Sequence, residues 1–189
     1  MGETGEIFTK ENSYFKNTPK KILSDLDYYK DGNILISTKA KKFTTSENEK
    51  PRVEREYENR IITAKALQEY FKKETKVLPE IKPSHWAYDY HFEGVKEYGK
   101  VPDFKIGDDF WEMESYDNKY RKKKLWHMIK EGAKQAEFIA IKLNEFVPLK
   151  NISYQMQELI NTKFDIMPKK VFIIDKEGSI IYTYEKEHR

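Results

Sequence analysis

Lys100–Asp117 reads KVPDFKIGDDFWEMESYD, two short runs of strand-favouring residues, PDFKI and DFWEMES, parted by Gly107 and Asp108. Side chains on a strand point alternately to opposite faces. Phe110, Glu112 and Glu114 therefore share one side of the second run, and Trp111 and Met113 share the other, toward the core. On the first run the same rule sets Asp103 with Lys105 and turns Phe104 and Ile106 inward. A hairpin at Gly107 to Asp109 brings Asp103 beside Glu112 and Glu114. Carboxylates crowded in this way repel one another unless something positive sits among them. A divalent cation with oxygen ligands is the natural neutraliser: Mg²⁺ takes one or two protein carboxylates, keeps several waters and binds substrate phosphates. Such an ion polarises a phosphate and lowers the pKa of an attacking water. An acidic face turned to solvent on an edge strand has the same spacing, and alternation alone does not choose between the two.

Upstream, Val53, Tyr57, Ile61, Ala64, Leu67 and Phe71 recur at helical spacing with charged residues between them, which predicts an amphipathic helix from Arg52 to about Thr75. Val77 to Pro79 begin a short extended piece. The run NILIST at 33–38 places Ile34 and Ile36 at strand spacing, and TTSENEKP reads as a polar linker. Residues 1–32 show no sustained period and read as an appended segment, so we expect an N-terminal extension with a short strand over 1–50 and the main domain over 51–189. The run WAYDYHF, Trp86 to Phe92, favours a strand by its aromatic content. Trp86, Tyr88 and Tyr90 alternate as core aromatics do, or as base-stacking groups do.

Downstream, Leu125, Met128, Ile129 and Ala133 predict a helix over 122–134. The apolar FIAIKL, Phe138 to Leu143, predicts a strand covered on both faces. A helix over 151–162 and a terminal hairpin, VFIID with SIIYTY, complete the chain. The expected fold is mixed α+β, a central mixed sheet flanked by helices with a C-terminal hairpin.

Composition narrows the chemistry. The 189 residues include 35 Lys and Arg, 32 Asp and Glu, no cysteine and an aromatic share of 14%. Such a chain folds, and it has no disulfide, thiolate zinc site or thiol nucleophile. Any metal must be held by oxygen or by histidine, and His85, His91 and His127 do not form a metal-ligand spacing; His127, on the helix after the acidic strand, is the best placed. The net charge of +3 is too mild to declare a polyanion binder. The basic cluster Lys119, Arg121, Lys122, Lys123 and Lys124, with Lys39, Lys41 and Lys42, is read either as a phosphate-attracting rim or as a solvated loop. No apolar run approaches the length of a bilayer span, and the N-terminus lacks the basic-then-apolar order of a secretory signal, so no membrane partner and a cytoplasmic location are expected.

The segment from Lys100 to Asp117, the basic helix after it and GAKQAEFIAIKL resemble the C-terminal transfer-RNA-cleaving toxin domain of contact-dependent growth inhibition proteins and related domains carried by phages and conjugative elements. They also resemble the PD-(D/E)XK nuclease superfamily. Pro102 and Asp103 match the Pro-Asp, Glu112 the glutamate and Gln135 the helix glutamine; GNILIST, Glu58 and the VLP at 77–79 follow the same order, so the similarity spans roughly residues 33–145. The resemblance implies a PD-(D/E)XK-like core and an Mg²⁺- or Mn²⁺-dependent nuclease acting on RNA, with Asp103, Glu112 and Glu58 at the metal, Lys105 assisting at the phosphate and a cognate immunity protein as a partner. The motif's lysine position is Glu114 here. Lys105 or Lys119 is then the substitute cation, or Glu114 is a further metal ligand.

That glutamate opens a second expectation, a catalytically degenerate nuclease-fold protein that binds and inhibits a host nucleoprotein, such as an anti-CRISPR protein. A third is that residues 1–50 attach the domain to a longer parent, although a chain beginning at Met is what a standalone product shows.

Overall fold

The computed structural model describes residues 24–117, 121, 123–162 and 167–186. Its strands are β1 (Tyr28–Asp31), β2 (Ile34–Ser37), β3 (Thr75–Val77), β4 (Phe104–Ile106), β5 (Asp109–Tyr116), β6 (Phe138–Leu143), β7 (Lys170–Ile174) and β8 (Ile180–Glu185). Its helices are α1 (Lys50–Phe71), α2 (Tyr88–His91), α3 (Lys124–Gly132) and α4 (Leu149–Asn161), with a 3₁₀ turn at Ser24–Leu26. The eight strands form one mixed sheet in sequential order. β2 runs parallel to β3, and β5, β6 and β7 are mutually parallel. The remaining neighbours are antiparallel.

Alternation along the strands builds two cores. Ile34, Ile36, Val77, Phe104, Ile106, Trp111 and Ala140 pack with Ala64 and Leu67 of α1. On the opposite face Ile139, Ile141, Val171 and Ile173 pack with Leu125, Met128 and Ile129 of α3 and Ile152, Met156 and Leu159 of α4. β6 lies between them and buries every residue from Ile139 to Leu143, the pattern of a strand covered on both faces. Leu67 is wholly buried, and truncating such a leucine to alanine costs about 2–5 kcal/mol.

α1 starts with Pro51 in its first turn, where the missing N–H is not needed. It ends at Lys72, whose left-handed backbone (φ 53°) returns its N–H to the Gln68 carbonyl. The buried stripe of α1 is interrupted by Asn59, Arg60 and Thr63. That break in the apolar pattern marks where the helix meets the polar site described below.

The hairpin at Gly107 is present: Ile106 faces Asp109 across a two-residue turn, with Gly107 at φ 57°. Two expectations need correction. Trp86 to Phe92 is not a strand, because Tyr88 and Phe92, one helical turn apart, both bury and stack at 4.8 Å, so the period of four overrides the aromatic β preference. Within the segment read as having no period, Tyr28–Asp31 forms the edge strand β1, so residues 28–37 supply the first two strands of the sheet. No helix among the described residues is long and apolar enough to cross a membrane.

Candidate active site

β5 carries Glu112 and Glu114, and Asp103 leads into its neighbour β4. Asp103 stands just before β4, where its N–H donates to the Trp111 carbonyl (2.9 Å) and its own carbonyl accepts from Leu78 N–H (2.9 Å). Its carboxylate reaches sideways: Oδ2 accepts from the Met113 N–H at 2.8 Å and Oδ1 lies 3.0 Å from Arg60 Nε. Glu112 and Glu114 lie on β5, on the side opposite Trp111 and Met113. The stem of Glu112 lies close to Gly132 of α3, where an added Cβ would come within 3.6 Å of it and 3.3 Å of Ile139. Glu112 Oε2 is buried and has no hydrogen-bond partner.

The three carboxyl groups act on one another. Burial pushes Glu112 well above the ordinary carboxylate range, the charges of Asp103 and Glu114 add to this, and Arg60 opposes it. Glu114 is pushed up to about 7 by burial, then by Asp103 and Glu131. Burial also raises Asp103, against the pull of Arg60 and the Met113 N–H. Glu80 and Glu56 add further negative charge at Asp103. Arg60 is the cation that acts on both Asp103 and Glu112, and Asp103, Glu112, Glu114 and Glu80 outnumber it.

Arg60 was not singled out by the sequence reading. It projects from α1 with its side chain 5% exposed, and donates to the carbonyls of Ala40, Leu78 and Asp103 and to Glu80 Oε1. Its sequence signal is a charged residue beside the apolar helix stripe, in the stretch that Asn59 and Thr63 also make polar. Glu56, one turn before it, is half-buried, whereas Glu58 is exposed; the α1 acid whose charge reaches Asp103 is thus Glu56.

The other expected site residues are more scattered. Lys105 Nζ lies 5.1 Å from the Phe110 ring centroid and is not among the charges that shift the carboxyls. Gln135 is exposed in the turn after α3, held by its N–H to the Gly132 carbonyl at 2.9 Å. Lys119 and Lys122 lie outside the described residues. Arg121 and Lys123 are exposed, while Lys124 turns inward, donating to the Asp117 carbonyl and covering the Tyr116 ring at 4.3 Å.

The histidines serve packing more than chemistry. His91 is buried, its Nε2 donates to the Asp25 carbonyl (2.7 Å), and its Nδ1 meets the Tyr28 hydroxyl (2.8 Å). Because a carbonyl only accepts, this fixes the tautomer, and burial lowers the His91 pKa. His85 lies 3.4 Å from Asp25, and His127 is exposed. Trp86 and Tyr90 are exposed and Tyr88 is buried, so the three do not form one stacking row.

Among the described residues no group of three or more His, Asp or Glu is arranged to enclose a metal ion. The donor chemistry nonetheless suits a hard cation: oxygen ligands alone, one of them buried without a partner, and surplus negative charge. Mg²⁺ asks for one or two carboxylates rather than a closed cage. A groove of about 530 Å³ between α1 and the β7–β8 turn, lined by Ile62, Ala66, Tyr70 and Ile180, includes none of these acids.

The chain matches no family model, no curated protein and no solved structure.

Proposed function

We propose that the protein is a divalent-cation-dependent nuclease acting on RNA, with Asp103, Glu112 and Glu114 at its centre. The observation that carries this reading is the buried, unpartnered Oε2 of Glu112, set among charges that Arg60 alone does not balance. The order of elements supports it: α1, an antiparallel β3–β4–β5 unit, α3, then β6 parallel to β5, with Asp103 opening β4 and Glu112 in β5. This agrees with the PD-(D/E)XK pattern that Pro102, Asp103 and Glu112 resemble.

Asp103 and Glu112 would hold Mg²⁺ or Mn²⁺, which supplies a Lewis acid at the phosphate and an ionised water at neutral pH. Arg60 and the Met113 N–H orient the Asp103 carboxylate. Glu114, more open than Glu112 and titrating near neutrality, takes up the proton released by the attacking water at a carboxylate oxygen. The packing of α3 at Gly132 against Glu112 and Ile139 keeps bulk water off the inner carboxyl. Lys105 is directed to Phe110, so the phosphate charge falls to the bound cation and to the exposed bases near Arg121.

The test is cleavage of transfer RNA or another structured RNA by the full chain with Mg²⁺ or Mn²⁺. Activity should stop with chelator and with Glu112→Ala. Absence of cleavage of any nucleic acid by well-folded protein would refute the reading.

Two observations favour a second reading, a nuclease-derived protein that binds a host nucleoprotein without cutting. Both Asp103 oxygens are already engaged, by Arg60 and by the Met113 N–H, and a glutamate stands where the motif has lysine. Tight nucleoprotein binding that survives Asp103→Ala would decide for it.

A further inference from the structure

A guanidinium has five N–H groups, and in Arg60 the four on Nη1 and Nη2 all donate to protein oxygens. Nη1 donates to the Ala40 carbonyl and to Glu80 Oε1 (2.9 Å). Nη2 donates to the carbonyls of Leu78 (2.8 Å) and Asp103 (3.2 Å), and Nε lies 3.0 Å from Asp103 Oδ1. Nε is buried and meets Asp103 as an ion pair rather than through a hydrogen bond, so no exposed donor is left for a substrate phosphate. Three of these oxygens are backbone carbonyls next to β2, β3 and β4, so the side chain is tied to the sheet and cannot swing out toward a ligand.

We infer that Arg60 is a positioning residue: it aims the Asp103 carboxylate at the cation site and makes no contact with substrate. With Arg60 at Oδ1 and the Met113 N–H at Oδ2, the plane of the carboxylate is set from two sides. Each oxygen keeps a second lone pair for a cation. Lysine in place of Arg60 keeps the charge and loses the planar fork that joins three strands to one carboxylate. This inference rests on the nuclease reading, in which Asp103 is a metal ligand.

The experiment uses the full ¹⁵N-labelled chain, unchanged and as Arg60→Lys and Glu80→Gln. Two readouts are taken under conditions where each protein is folded: the Met113 amide proton shift, and Mn²⁺ affinity by electron paramagnetic resonance titration. Arg60→Lys should move the Met113 amide upfield beyond any change in the β6 amides and weaken Mn²⁺ binding by about tenfold, the scale of losing a partner that orients a ligand. A lower melting temperature with the Met113 amide unmoved and Mn²⁺ affinity within about twofold would overturn the inference and leave Arg60 a structural tie. A displaced Met113 amide in a protein whose unchanged form binds no Mn²⁺ keeps the positioning of Asp103 and removes the metal reading. Should Arg60→Lys not fold, Glu80→Gln carries the test: the same changes, smaller, support the inference, and no change in either readout overturns it.

Discussion

Glu114→Gln should make the protein more stable, and only above mildly acidic pH. The Glu114 carboxyl is carried from its ordinary value of 4.5 up to about 7, by burial first and then by the charges of Asp103 and Glu131. Between those two values the folded chain holds a proton that the unfolded chain has released, so stability falls as pH rises across the window and the full cost is present above about 7. At about 1.4 kcal/mol for each tenfold change, the whole shift is worth about 3 kcal/mol. Solvent reaches part of the side chain and screens the repulsion, which leaves about 1–2 kcal/mol. Glutamine carries no charge at any of these pH values, and its presence also relieves Glu112, an effect of the same sign. Urea melts of both proteins from pH 4.5 to pH 8 should coincide at the acid end and part by about 1–2 kcal/mol at the alkaline end. Adding millimolar Mg²⁺ should narrow the gap by stabilising the unchanged protein. Parallel curves with no pH-dependent separation would refute the crowding of charge on which the site rests.

Asp103→Asn leaves the buried Arg60 guanidinium with Glu80 as its one remaining carboxylate and should cost about 3 kcal/mol in a thermal melt. A loss below about 1 kcal/mol would show that Glu80 suffices. Gly178→Ala forces a side chain onto a backbone at φ 93° and puts its Cβ 3.0 Å from Ile62 Cγ2, so chemical denaturation should show a loss of about 1–2 kcal/mol. Lys142 is buried on β6 with one bond, to the Leu143 carbonyl, and burial lowers its pKa; Lys142→Met should stabilise the fold by about 1 kcal/mol at neutral pH, and a destabilised variant would mean that Asp175 and Glu177 compensate the charge.

Local rules made part of this architecture readable. β6 spans the run from Phe138 to Leu143, because a strand covered on both faces is apolar at every position but one, Lys142. The β4–β5 hairpin follows from Gly107 and from the alternation of Trp111 and Met113 with Glu112 and Glu114. What escaped the reading is non-local. The contacts of Arg60 come from Ala40, Leu78, Glu80 and Asp103, four positions that no sequence window brings together. Glu56 replaces Glu58 as the α1 acid near Asp103 because a shift of two residues on a helix turns a side chain more than halfway round the axis. β1 escaped because an edge strand with one neighbour needs little apolar alternation.

The sequential order of the sheet bears on how the chain is made. No strand is inserted between two earlier ones, so each new strand, as it leaves the ribosome, pairs with the one just laid down, and the search never reaches back across the domain. Arg60, Asp103, Glu112 and Glu114 are therefore all synthesised before the β6 strand that closes the free edge of β5. During that interval a nascent chain carries its acidic centre beside a raw sheet edge, and a pause in translation there is the point at which a chaperone has most to protect.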